Sequence, residues 1–133
     1  MIELLIVMAI IGILATLFVA TYPNARKRAR DAQRQSDMRQ YQTALEKYAN
    51  KNNGTYYNSS GTINIKDQYA TLNLPASSPD DPSGTVRYKY NGTATEYVLW
   101  AQLEVSGSGY FVACSTGQAG TTATTPSNST CPL

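Results

Sequence analysis

The chain has 133 residues, enough for one domain, with eleven Lys and Arg against nine Asp and Glu and a formal net charge of +2. That balance excludes a polycation built to coat nucleic acid. With no His and only two Cys, His-dependent nucleophilic triads, His-ligated metals and four-thiolate zinc or iron–sulfur sites are excluded too. No enzymatic constellation is identifiable, and neither a cofactor nor a metal is expected. Residues 1–50 carry a net charge of +3 and residues 51–133 a net charge of −1. Ten Tyr stand against two Phe and one Trp. Tyr tolerates a half-wet surface, so the second part reads as an extracellular β-rich head.

Leu4 to Tyr22 is a run of nineteen uncharged residues. As a helix it would be about 28 Å long, close to the hydrocarbon thickness of a bilayer. It is apolar all round, unlike the one-sided helix of a globular core. It is too long for a signal-peptide apolar region and has no basic segment ahead of it. Glu3 stands at the head of this run. A carboxylate in a bilayer costs about 2.5–3.5 kcal/mol at mid-helix and less near an end. It either stays at the headgroups beside the helix N-terminus or takes a positive partner from another chain.

The segment I-E-L-L-I-V-M-A-I-I-G-I-L-A, residues 2–15, resembles the amino terminus of mature type IV pilins and of type II secretion pseudopilins. Residues 25–57, ARKRARDAQRQSDMRQYQTALEKYANKNNGTYY, are similar to the second half of that family's first helix and the turn after it. The family's Glu is at the fifth mature position. Aligning it with Glu3 makes Met1 the third mature residue, so a leader and two residues are expected ahead of it. The resemblance implies an α+β, pilin-like fold, with a long amino-terminal helix packed on a small antiparallel β-sheet head. It also implies a helical homopolymer in which Glu3 sets register against a neighbour's amino terminus. Before assembly the chain would lie in the inner, cytoplasmic membrane, processed by a prepilin peptidase, methylated and handled by the pilus assembly machinery. Afterwards it would be an extracellular, cell-surface pilus serving adhesion to an unknown surface or host-cell ligand, and twitching motility.

Four parts are expected. Residues 1–23 form the membrane and filament-core half of the helix, and 24–53 its amphipathic half. Residues 54–84 form a connecting loop, and 85–133 an antiparallel meander with a disulfide-closed tail. Ala25, Ala29, Ala32 and Ser36 make a stripe of small residues, and Met38, Tyr41, Leu45 and Tyr48 a larger one that should carry the head. Asn52-Asn53-Gly54 should end the helix. Gly12 and Pro23 are its weak points, and the resemblance implies unwinding between them inside an assembled filament, against a kinked but continuous helix. Arg26, Lys27, Arg28, Arg30 and Arg34, with Arg39 beyond, form a basic cluster. It lacks interleaved aromatics and faces several sides, so it reads as solvated or as pairing between subunits rather than as a nucleic-acid site. Taken alone, it would keep this end of the helix cytoplasmic; the family's orientation is the reverse.

In the loop, Thr62–Ile65 is one short candidate strand. Asp80 and Asp81 read as turn formers that should tolerate charge change, with a two-carboxylate calcium site the weaker reading. Val86, Tyr88 and Tyr90 alternate with Arg87 and Lys89 as a strand, and Asn91-Gly92 signals a tight turn, with a longer connection through Thr95 as the alternative. Tyr97 to Val105 alternate as the next strand, with Trp100 on its other face. Ser106-Gly107-Ser108-Gly109 is a turn, and Tyr110–Cys114 a third strand. Nine of the sixteen residues 115–130 are Ser or Thr, a composition that would be disordered if left free. Cys114 and Cys131 flank it and are expected to pair in an oxidising compartment; the family's carboxy-terminal disulfide loop agrees. Asn53, Asn58, Asn91 and Asn128 each start an Asn-x-Ser/Thr sequence and are candidate glycosylation sites. A pseudopilin is the alternative, but no acidic residue follows Glu104 to build a calcium loop. A DNA-uptake pilus subunit would want cations in residues 106–133, which have none.

Overall fold

The computed structural model describes residues 1–68, 70–75, 77–84 and 88–133, with the backbone alone at 17, 18 and 20. Helix α1 runs from Ile2 to Lys51. Strands β1 (Ile63–Asn64), β2 (Lys89–Gly92), β3 (Tyr97–Gln102), β4 (Tyr110–Cys114) and β5 (Ala119–Thr122) follow, with a 3-10 turn at Ile65–Gln68. The strands lie in sequence order, each antiparallel to the next. The fold is therefore α+β, a long helix against a five-stranded meander.

The helix is continuous through both expected weak points. Gly12 and Pro23 lie within it, and a 43° bend separates Ile2–Thr16 from Thr21–Lys51. In the single chain this is the kinked but continuous helix of the two expected forms; the unwinding is expected in an assembled filament. Proline removes one amide donor and crowds the preceding turn, which bending relieves without breaking the ladder. The Thr16 hydroxyl also donates back to the Ile13 carbonyl at 2.7 Å, a contact that favours bending. Among the described residues no single helix is long and apolar enough to cross a membrane; the bent pair meets the test by length and composition taken together. The helix stops where Asn52-Asn53-Gly54 stand. Asn53 (φ 55°) and Gly54 (φ 81°) take the left-handed conformation, and the Gly54 amide reaches back to the Ala49 carbonyl at 2.8 Å.

The larger helical stripe meets the sheet as its spacing requires. Met38, Tyr41 and Leu45 are buried with Tyr88, Tyr90, Tyr97, Leu99, Ala101 and Phe111, and Tyr48 packs at the margin. Tyr41, Tyr88, Tyr90 and Tyr97 are at most 2% exposed and build the core, whereas Tyr48, Tyr56 and Tyr57 are half-buried at its margin. Burial is permitted because each hydroxyl has an acceptor: the Pro79 carbonyl, Asp37, the Tyr57 carbonyl and Glu46 respectively. On the sheet's other face Val98, Trp100, Val112 and Cys114 form a second cluster with Tyr110 and Cys131.

Three strand boundaries differ from expectation. Val86 and Arg87 lie outside the described residues, and β2 is seen from Lys89. Asn91 and Gly92 belong to β2, not to a turn; the connection is 93–96, closed by the Thr93 amide donating to the Glu96 carbonyl at 2.8 Å. Gly92 is required for close approach, since a Cβ there would collide with the Tyr90 hydroxyl and lie 2.9 Å from the Tyr57 carbonyl. Leu103 and Val105 fall beyond the end of β3. The tail holds β5, paired from Ala113↔Ala119 to Tyr110↔Thr122. Its sequence has no apolar alternation, so the exposed edge of β4 supplies the strand character. Cys114 and Cys131 form the disulfide, tying the tail back under the second cluster.

The cross-link closes a loop with a sequence separation of 17, and in the chain-entropy account contributes about 3 kcal/mol. Cys131→Ser should therefore lower unfolding stability by about 2–4 kcal/mol and open residues 115–130 to proteinase K. Denaturant titration and mass mapping of the cleavage sites check both.

Candidate functional site

Two regions stand out, and they share the helix. The first is its amino-terminal part. From Met1 to Ala29 every residue with a described side chain is exposed. Ile2 is 75%, Leu4 70% and Val19 75% exposed. An apolar surface of this extent is far larger than a soluble monomer leaves uncovered, which marks it for burial against lipid or protein. The small-residue stripe Ala25, Ala29, Ala32 and Ser36 is also exposed. Glu3 is exposed in the first turn. Among the described residues it forms no ion pair within the chain.

The second region is where the helix enters the head. Arg34 has no exposed side-chain surface. Its Nε donates to Asp81 Oδ2 at 2.5 Å and its Nη1 to Asp31 Oδ1 at 2.7 Å. Its Nη2 donates to Glu104 Oε1 at 2.6 Å and to Asp81 Oδ1 at 3.1 Å. Arg30 Nε donates to the same Glu104 oxygen at 2.7 Å, and Arg30 Nη2 pairs with Glu104 Oε2. Asp31 also accepts the amides of Glu104 and Val105 at 2.9 and 3.0 Å. One turn on, Asp37 accepts the Tyr88 hydroxyl at 2.6 Å. The helix thereby holds both the 81–83 loop and the segment after β3.

Several expectations are corrected here. Arg30 and Arg34, expected to pair between subunits, are paired within the chain: Asp31, Asp81 and Glu104 surround the buried Arg34, and Glu104 also takes Arg30, which stays partly exposed. Arg26, Lys27 and Arg28 are exposed. Asp80 is exposed and paired with Lys66 at 2.7 Å, whereas Asp81 both opens a turn to Gly84 and is a buried ion-pair partner of Arg34, so a charge change there should be costly. The role of Asp31, Asp81 and Glu104 as partners of Arg34 escaped the sequence reading. The one local signal was Asp31 and Arg34 at i,i+3, since Asp81 and Glu104 lie 47 and 70 residues from Arg34. Among the described residues no group of three His, Cys, Asp or Glu side chains is placed to hold a metal ion; Asp31, Asp81 and Glu104 converge on arginine instead. Of the four Asn-x-Ser/Thr sites, Asn53, Asn58 and Asn128 are exposed, whereas Asn91 sits in β2 with its amide donating to the Ser127 carbonyl at 3.4 Å.

The charges are set by these contacts. Hydrogen bonding from Arg30 foremost holds Glu104 down, at about 2 against an ordinary 4.5. Burial works to raise Asp81, but hydrogen bonds from Arg34 and Ser83 outweigh it and keep it below the usual range. Burial raises Asp37, only partly offset by Tyr88. Burial also works to lower Arg34, and its carboxylate partners reverse that. Comparison of the chain with protein-family models, with curated proteins and with solved structures finds no match.

Removing Arg34 leaves buried carboxylates uncompensated. Arg34→Ala should cost about 3–5 kcal/mol, whereas Arg26→Ala should stay within about 0.5 kcal/mol. Denaturant titration followed by Trp100 emission separates the two. Glu104 and Asp81 have folded values below their unfolded ones, so their contribution is full above about 4.5 and is lost as pH falls toward about 2. Asp37, raised on folding, works in the opposite sense near its ordinary 3.8. Unfolding midpoints should accordingly hold from neutrality to about pH 4.5 and fall below it, with a flatter acid limb in Glu104→Gln.

Proposed function

We propose that this chain is the structural subunit, the major pilin, of an extracellular type IV pilus. The observation that carries the reading is the exposed apolar half of α1, from Ile2 to the bend and on to Tyr22, projecting from a fully folded head. A membrane holds such a helix before assembly, and neighbouring copies of it can replace the lipid in a filament. The sequence of residues 2–15, with Glu3 ahead of an unbroken apolar run, supports the same reading. Glu3 fits a register role because a carboxylate in an apolar bundle is stable only opposite a positive group. In this reading the partner is the amino terminus of the next subunit. The disulfide-closed tail and the meander then face outward and meet surfaces or host cells.

Glu3→Ala should leave the chain in the membrane fraction and reduce sheared filaments at least about tenfold, the effect of about 1.4 kcal/mol in an assembly equilibrium. Unchanged filament yield would remove the register role. Electron cryomicroscopy of sheared material, with mass spectrometry of the same sample, tests the filament itself. A thin helical polymer of this chain is expected. Its confinement to the membrane fraction, with no filament, would favour the pseudopilin reading.

A further inference from the structure

We infer that Tyr22, Arg26, Lys27 and Arg28 form a collar that binds the anionic phospholipid headgroups around α1 while the chain resides in a membrane. The inference rests on the membrane-spanning reading above. The head removes Arg30 and Arg34 from the local cationic surface by pairing them with Asp31, Asp81 and Glu104. Arg26, Lys27 and Arg28 remain. All three are exposed, and among the described residues none forms an ion pair within the chain.

Their arrangement selects the partner. Consecutive helical residues point about 100° apart and rise about 1.5 Å each. Three in a row therefore spread charge round most of the helix within about 3 Å of its axis direction. A protein partner or a nucleic-acid groove reads one face. A thin ring facing several sides is satisfied at once only by a layer that surrounds the helix. The collar also lies at the right depth. Glu3 and Arg26 are separated by about 35 Å of helix, between the hydrocarbon thickness of about 30 Å and the full thickness of about 40–45 Å including headgroups. Tyr22 marks the boundary, as an aromatic at the interface does. The Arg26 guanidinium sits over its ring, 5.6 Å from the centroid, on the membrane side of the collar. Cations at a membrane surface are attracted by anionic lipid and screened by salt.

The test offers the detergent-solubilised full chain to two vesicle populations of different density. One is phosphatidylcholine alone; the other contains roughly 30% phosphatidylglycerol. At low salt the chain should favour the anionic vesicles about tenfold, and at about 1 M salt the preference should vanish. The triple variant Arg26→Gln, Lys27→Gln, Arg28→Gln should bring the preference below about twofold, with Trp100 emission unchanged as the check on folding. The variant Arg39→Gln, Lys47→Gln, Lys51→Gln removes three exposed cations farther along the helix and should retain it. Equal distribution of the native chain overturns the collar, as does a preference that survives in the first variant or is lost equally in the second. Equal distribution combined with loss of filaments in the first variant would assign these cations to carboxylates of other copies instead. Capture by neither population overturns the spanning reading as well. Should the first variant fail to fold, the single variants Arg26→Gln, Lys27→Gln and Arg28→Gln decide instead: each should lower the preference about twofold, and an unchanged preference in all three overturns the collar.

Discussion

A guanidinium with no exposed surface sits where the helix meets the head. Arg34 can be there only because Asp31, Asp81 and Glu104 surround it, and each comes from a different part of the chain. A buried ion cluster of this kind adds little net stability over an apolar one of the same shape, but breaking it is costly. Its consequence is placement. Asp81 brings the proline-rich loop onto the helix, and Glu104 brings the end of β3. Asp31 then caps the backbone amides of residues 104 and 105. Further along, Met38, Tyr41 and Leu45 have the sheet to pack on.

The cluster also divides the helix. Beyond Arg30 one face belongs to the head. Before it, nothing in the described chain covers the helix at all. That division separates the part of the helix that packs into the head from the part left uncovered. The charges follow the same line: Arg30 and Arg34 are neutralised within the head, and Arg26, Lys27 and Arg28 are left outside it. A cation cluster that looks uniform in sequence is thus two populations, one paired within the head and one exposed.

The head solves a related problem in its core. Four buried tyrosines replace the aliphatic residues that the amino-terminal helix has used up. Tyr90 stacks on Tyr97 at 5.9 Å, and Tyr97 meets Tyr56 edge-on at 4.8 Å. Their hydroxyls reach Glu46, Asp37 and two carbonyls, so a polar aromatic core is left without unmet donors. The tail adds no such core of its own. It is held by pairing with β4 and by the disulfide.

Local pattern was enough to reveal the long helix, its stop at Asn52-Asn53-Gly54, the stripe that carries the head and the third strand. Each depends on neighbours in sequence or on a spacing the helix itself imposes. The turn misplaced onto Asn91-Gly92 shows the limit: the dipeptide fits a tight turn, but Gly92 is there because Tyr90 and the Tyr57 carbonyl crowd it. Strand β5 had no signal, since an edge already waiting to pair supplied its conformation. The fates of Arg30, Arg34 and Asp81 were hidden for the same reason. Whether a charged side chain is solvated or buried depends on partners that arrive from 47 and 70 residues away. The sequence by itself determined that a bare apolar helix leads a small β-rich domain. Only the tertiary structure decided which of its charges stay free, because the carboxylates that neutralise them are brought together by folding.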